Sequence, residues 1–215
     1  MNSINGILYI NIEKRKDRLK NITEQLFDSS VAKETPIPPD IIQRIDAIVH
    51  KKGEIGCAKS HIKALDIAIE NNWKRVMILE DDFAWKSETA KVVESLQSID
   101  NLDFDWDVIL LATPKPGLKI LGKKSYNLER VNNAQTTTGY IVNGLDYMIK
   151  IKECFEKCVK ELEKGAPKRK SAIDIAWKQF QPTDNWYYFK DNIGKQINSY
   201  SDIERRSTRY TTRTF

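Results

Sequence analysis

Glu80, Asp81 and Asp82 close the apolar run Val76, Met77, Ile78, Leu79. Adjacent like charges repel one another and resist burial, so a buried strand that ends on them makes sense where a cation relieves the repulsion. Side chains alternate along an extended segment, which sends Glu80 and Asp82 one way and Asp81 the other. Two converging carboxylates are ligands for a hard ion, Mg2+ or Mn2+. An ion held by one or two carboxylates keeps positions free for a phosphate or diphosphate. The residue types therefore point to a nucleotide-bearing substrate. The competing structural use is plain: acids are also favoured at helix N-termini.

Other residues could serve the same chemistry. Asn11 ends the first apolar run, where a side-chain amide can read a base, and Arg15 and Arg18 open the next helical segment. Arginine matches phosphate through two parallel hydrogen bonds, although a KRKDR run also suits a solvated helix start. Gly53 and Gly56 lie at a turn into a helix whose first amides could face an anion. Ser60 and His61 follow one turn later, His61 being a donor-site candidate or a hydrogen-bonded structural histidine.

The elements that must position these residues alternate along the chain. Residues 6–12 read as a buried strand, and Leu19, Ile22 and Leu26 recur at helical spacing after it. The prolines of residues 34–40 make a rigid loop. Residues 41–48 form a second strand, and Ala58, Ile62, Leu65 and Ile69 give a one-sided helix. Strands are expected at 75–79, 107–112 and 136–143, with helices near 87–99 and from Asn143, the second carrying Met148, Ile151, Phe155, Cys158 and Leu162 inward until Gly165 stops it. Such alternation predicts an α/β fold with a mostly parallel central sheet flanked by helices. In open α/β sheets ligands bind beyond the carboxyl ends of strands, which is where the three acids fall.

The composition sets bounds. With 215 residues, 40% of them hydrophobic and 30% charged, the chain suits one domain, residues 1–204, followed by a basic tail over 205–215. The net charge of +5 is concentrated late, at 165–170 and 205–213. These runs could touch a membrane surface or an acidic glycan weakly, and no specific nucleic acid is expected. Three cysteines, with no signal-like start and no membrane-length apolar run, predict a cytoplasmic protein with reduced thiols. Asn21-Ile22-Thr23 spells a glycosylation acceptor that such a protein would leave idle.

Four ordered blocks, YINIEKRKDR (9–18), RIDAI (44–48), GEIGCAKSHIKAL (53–65) and VMILEDDF (76–83), together resemble glycosyltransferase family 25, which includes lipooligosaccharide and collagen hydroxylysine galactosyltransferases. WDVILLA (106–112), TTTGYIV (136–142) and SYSDIE (199–204) are similar to its later segments. The resemblance implies a single-domain GT-A (Rossmann-like) fold, a UDP-sugar donor and a glycan or hydroxylysine acceptor. It also implies Mn2+ or Mg2+ at a variant DxD motif, with Glu80 and Asp82 as the metal acids and Asp81 between them. It extends the donor site to Asp46 and to Thr138, Gly139 and Tyr140, where glycine would let backbone approach a sugar or would mark a tight core strand. If transfer inverts the sugar, an acceptor-side base is needed. Asp174 in KSAIDIAW is its candidate and Asp184 the reserve, although Ser171 and Asp174 also have capping-box spacing. The histidines are His50 and His61, so a further metal ligand would be water, phosphate or another carboxylate. The competing functions are a UDP-sugar-binding or nucleic-acid-binding protein without transfer, and a nucleotidyltransferase, which would need a glycine-rich phosphate loop absent around Gly6.

Overall fold

The computed structural model describes residues 3–35, 37–86, 88–114, 119–123, 127–197, 199–201 and 206–208. The apolar runs become strands Gly6–Asn11 (β1), Ile42–Asp46 (β2) and Arg75–Glu80 (β3). Between them the periodic segments form helices Lys16–Thr23 (α1), Ser30–Glu34 (α2) and Gly53–Glu70 (α3). α1 runs on into one π-helical turn, Glu24–Asp28. β1 lies between β2 and β3 and is parallel to both, as crossover helices require. After the acids come β4 (Phe83–Trp85), α4 (Thr89–Ser98) and β5 (Val108–Leu110).

The second half departs from simple alternation. β6 (Lys119–Lys123) and β7 (Leu128–Asn132) form a hairpin that the periodicity did not reveal, and β8 (Gly139–Asn143) follows it. The remaining elements are α5 (Leu145–Glu163), α6 (Lys168–Ser171), α7 (Ile173–Ala176), β9 (Trp186–Phe189), β10 (Gly194–Gln196), β11 (Ser199–Ser201) and β12 (Arg206–Thr208). The eight-stranded sheet has the order β2-β1-β3-β8-β5-β9-β7-β6. The expected α/β class holds, but the sheet is mixed rather than mostly parallel. β8 runs antiparallel to both β3 and β5, β7 is antiparallel to β9 and β6, and only β9 pairs in parallel with β5. The physical reason lies between β5 and β8, where a hairpin stands in place of the crossover helix that a parallel strand needs.

This reversal matters for the site. Leu79 pairs with Gly139 and Leu110 with Tyr140, so the start of β8 meets the carboxyl ends of β3 and β5 at one edge.

Alternation along the strands sends Leu8, Ile10, Val76, Ile78, Tyr140 and Val142 to a core under α3 and α5. It sends Ile7, Tyr9, Met77, Leu79 and Ile141 to a second core with Ile22 and Leu26 beneath Val92 and Leu96. On α3 the fully buried stripe is Ile55, Ala58, His61, Ala64, Leu65 and Ala68, and small alanines let the helix sit close to the sheet. Ile62 and Ile69, expected inward, are half-buried beside it. All five expected residues of α5 are buried, although Gly144 rather than Asn143 precedes its first turn.

Among the described residues no helix is long and apolar enough to cross a membrane. The basic tail over 205–215 lies outside the described residues except for the backbone of β12, which pairs antiparallel with β11.

Candidate active site

β3 delivers Glu80 to the carboxyl edge, and the chain turns through Asp81 and Asp82 into β4. The Glu80 amide donates to the Thr138 carbonyl (2.8 Å), tying the acid to the start of β8. As alternation requires, Glu80 faces α3 and Asp81 faces α1. Glu80 Oε1 accepts from Thr137 Oγ1 at 2.6 Å and lies 3.2 Å from His61 Nε2. Asp81 accepts from Asn11 Nδ2 (2.7 Å) and from Arg18 Nη1 (2.9 Å). The turn overrides the alternation at Asp82. Its Oδ2 lies 3.1 Å from Arg18 Nη1 and accepts from Gln196 Nε2, also at 3.1 Å. Asp82 Oδ1 is buried and has no hydrogen-bond partner among the described residues.

Two segments far away in sequence hold this turn from outside. Asn21 Nδ2 donates to the carbonyls of Asp81 (3.1 Å) and Phe83 (2.9 Å), so the asparagine of the glycosylation sequon has a structural role. β10 pairs antiparallel with β4, and the Ile197 amide donates to the Asp82 carbonyl at 2.8 Å.

Charge is unevenly balanced among the acids. Burial pushes Asp82 up, the nearby Glu80 charge adds to it, and Arg18 only partly offsets both, leaving its pKa at about 7. Asp81 is raised by burial against the pull of Arg18 and Asn11. Burial also pushes Glu80 up, but His61, Thr137 and the Arg18 charge outweigh it and hold Glu80 below its ordinary value. Glu80 is thus the ionised partner, and Asp82, which shares Arg18 with Asp81, is the one short of counter-charge.

The other expected residues divide between this cluster and its supports. Asn11 is fully buried with its amide committed to protein: besides Asp81, Nδ2 reaches the Arg15 carbonyl (3.3 Å) and Oδ1 accepts from Arg44. It braces the acid turn and has no free edge for a base. Arg15 binds Asp17 at the start of α1. Asp46 ends β2 as an exposed partner of Arg44 at 2.6 Å. A Cβ on Gly56 would meet the Ile48 carbonyl at 2.4 Å, so this glycine lets α3 lie against the loop after β2. Ser60 pins the same loop, accepting from the Ile48 amide and donating to the Gly56 carbonyl.

His61 is buried between Glu80 and Tyr140, whose hydroxyl lies 3.0 Å from Nδ1. Thr138 is buried, sharing a hydrogen bond with Thr136. A Cβ on Gly139 would come within 2.8 Å of the Phe83 ring, so the close approach there is core packing rather than room for a sugar.

Asp174 lies within reach of the Glu80 charge. It lies in the first turn of α7, preceded by Ala172 as N-cap, and Ser171 Oγ donates to Glu161 instead. The expected capping box is therefore not formed. Burial raises the Asp174 pKa, a hydrogen bond from Gln135 opposes this, and the Glu80 charge raises it further. Lys178 lies beside it and donates to Gln135 Oε1 at 3.0 Å. Asp184 is a correction. It precedes β9, at the opposite edge of the sheet, where it accepts from Tyr147 (2.7 Å) and Lys150 (2.6 Å) and is held below its ordinary pKa despite partial burial. It is a structural anchor for α5, away from the acids.

Sequence reasoning missed Thr137, Gln135, Lys178, Arg44, Gln196 and Cys57. Thr137, Gln135, Lys178 and Gln196 come from loops or short late elements without a periodic signal, whereas Arg44 and Cys57 stand on the legible β2 and α3, where nothing in the pattern says what they face. Glu80 and Asp82 carry the oxygen donors that a hard divalent ion would take. The orphaned Oδ1 and the raised pKa mark Asp82 as a buried carboxylate short of positive charge.

The model of glycosyltransferase family 25 (LPS biosynthesis protein) matches residues 4–152. This span contains the three acids, their arginine and β8. The chain belongs to glycosyltransferase family 25. Within the family it is 33% identical over 115 residues to a Haemophilus influenzae protein named as a glycosyltransferase, a match covering 47% of this chain and 39% of that one. It is 21% identical over 160 residues to human procollagen galactosyltransferase 2 (64% and 26% covered), and 28% over 97 residues to the human protein named inactive glycosyltransferase 25 family member 3 (45% and 15%). The family 25 chain thus spans well under half the length of these relatives. Its fold is similar to a glycosyltransferase involved in glycosylation of the major capsid of PBCV-1 (TM-score 0.54, 11% identity, 93% and 95% covered). It is also similar to a Thermus thermophilus protein titled mannose-1-phosphate geranyltransferase (TM-score 0.52, 10% identity, 87% and 73% covered). The expected GT-A type of α/β fold is thereby shown. Asp174, Lys178 and Gln196 lie beyond the family-matched span, so the candidate base and the cover of the acid turn come from its far side.

Proposed function

We propose that this family 25 chain transfers a hexose, galactose or glucose, from a UDP-sugar to a hydroxyl of a glycan or hydroxylysine, inverting the sugar. The observation that carries the reading is the buried Asp82 carboxyl, raised by the Glu80 charge and with Oδ1 unpartnered among the described residues, while the same Glu80 charge reaches Asp174. Glu80 and Asp82 would hold Mn2+ or Mg2+. When bound, such an ion supplies Lewis-acid stabilisation of the charge that collects on departing UDP.

The chain's own residues do the rest. Asp174 takes the proton from the acceptor hydroxyl as that oxygen attacks the sugar carbon. Its raised pKa makes it a stronger base, and Gln135 and Lys178 hold its carboxylate in place. Arg18 fixes Asp81 and Asp82 so that the acids are set before the donor arrives. β4, β10 and Gln196 close the turn from solvent, which strengthens every charge interaction inside it.

A binder without transfer is the second reading. Arg18 already pairs with two of the acids, as a site working without a metal would also require, and one relative is named inactive. The test is UDP release from UDP-galactose, UDP-glucose and UDP-GlcNAc, with acceptor sugars, in the presence and absence of Mn2+. Mn2+-dependent release that Asp82→Asn abolishes supports transfer. Sugar-nucleotide binding with no release under any condition supports the binder, and neither binding nor release rejects both.

A further inference from the structure

We propose that Cys57, His61 and Glu80 form a second cation site, suited to a thiophilic divalent ion of the Zn2+ class. The Cys57 sulfur, a His61 ring nitrogen and a Glu80 carboxylate oxygen all lie within 4.8 Å of one another. Cys57 and His61 stand at i and i+4 on α3, the spacing that puts two ligands on one helix face. Glu80 meets them from the end of β3.

The set is one sulfur, one nitrogen and one oxygen. Sulfur and imidazole select Zn2+ over Mg2+ or Ca2+, and three protein ligands leave a fourth position open. Ligands around tetrahedral zinc lie roughly 3.3–3.7 Å apart, so closing the site needs a shift of about 1 Å, within reach of side-chain rotation at Cys57 and Glu80.

The surroundings are built to match. His61 is buried, stacked on Tyr140 at 5.7 Å and edge-on to Phe155 at 6.3 Å, so its ring is held in one plane. The Tyr140 hydroxyl lies 3.0 Å from Nδ1 and would accept that nitrogen's proton once an ion binds, so that Nε2 exchanges its hydrogen bond to Glu80 for a lone pair aimed at the ion. An outer partner of this kind is what orients a ligating histidine. Both hydrogen bonds that Glu80 accepts land on Oε1, leaving Oε2 for an ion. Glu80, Asp82 and Asp174 all place negative charge near the thiol. Binding exchanges the thiol proton for the ion and releases one proton to solvent.

The site shares Glu80 with the hard-ion pair, but its existence does not rest on the transferase reading. The test uses Co2+ as a spectroscopic stand-in for Zn2+, titrated into the full chain with no sugar nucleotide present. A thiolate-to-cobalt charge-transfer band saturating at one equivalent and bleached by Zn2+ is expected. It should vanish in Cys57→Ser and survive in Cys154→Ser, because Cys154 and Cys158 lie buried on α5. No band, or a band that survives Cys57→Ser, overturns the proposal. Should Cys57→Ser fail to fold, the parent chain decides: Zn2+ should slow iodoacetamide labelling of Cys57 at least tenfold, and labelling indifferent to Zn2+ overturns it. Because neither readout involves transfer, failure of this site is distinguishable from failure of the transferase reading.

Discussion

Replacing Asp82 by asparagine should make the chain more stable at neutral pH. Asp82 rises from an ordinary 3.8 to about 7 because burial and the Glu80 charge outweigh the attraction of Arg18. Its side chain is 3% exposed, so water screens little of this. A carboxyl raised in the folded state is protonated there while the unfolded chain has already ionised. Its favourable contribution is complete below about pH 4 and lost as pH rises to about 7, then stays lost. About three pKa units at 1.36 kcal/mol each set a ceiling of about 4 kcal/mol. Arg18 loses one of its two carboxylates in the variant, which returns part of that gain, so a net stabilisation of roughly 1–3 kcal/mol is expected at pH 8. For a chain of this size that is a rise of roughly 3–10 °C in Tm. Thermal unfolding of both proteins at pH 8, 6 and 4 is the assay, with the gap shrinking as pH falls. A variant that melts at or below the parent at pH 8, or a gap that does not shrink, would refute the reasoning. Excess Mn2+ should raise the parent's Tm and leave the variant's nearly unchanged.

Arg18→Met should cost about 3–5 kcal/mol in denaturant unfolding, since it leaves Asp81 and Asp82 buried without their counter-charge, and a loss below about 1 kcal/mol would show that the pair is not structural. Asp174→Asn should slow transfer at least ~100-fold with UDP affinity unchanged and a Tm no lower than the parent's, because the residue caps no helix and its carboxyl is raised by burial; unfolding instead would restore a structural role. Its raised pKa predicts a transfer rate that climbs with pH until Asp174 is fully ionised, a limb that Asp174→Asn should lose. Gly139→Ala should destabilise by about 1–3 kcal/mol through the Phe83 ring, and adding Phe83→Leu should recover part of the loss in a double-mutant cycle.

The first half of the fold was legible because each element there carries its own signal. β1 and β3 are unbroken apolar runs, α3 and α5 show one-sided periodicity, and the acids stand at a strand end that the α/β pattern itself marks. The direction of β8 was not legible, because a strand's residues do not encode which neighbour it will meet. The hairpin β6–β7 hides for the same reason. At the site, the alternation of Glu80 and Asp81 held, but the turn sent Asp82 to Arg18, a contact set by where α1 packs. Arg18 and Asn11 read as donor ligands because their residue types suit phosphate and base, yet the fold uses both to hold the acids. Asp174 lies within reach of the Glu80 charge, while Asp184 carries the same chemistry at the opposite edge; only topology separates them.

The ribbon of β4 and β10 has a consequence for how the chain is made. Gln196 and the Ile197 amide close over Asp82 from more than a hundred residues downstream. As the chain leaves the ribosome, the acid turn therefore emerges and can take up Arg18 and Asn21 long before its last wall exists. Pairings of such sequence separation form late and slowly. A polypeptide released after residue 152 would hold Glu80, Asp81 and Asp82 and neither the candidate base nor the cover, able to collapse but with its anionic turn open to water.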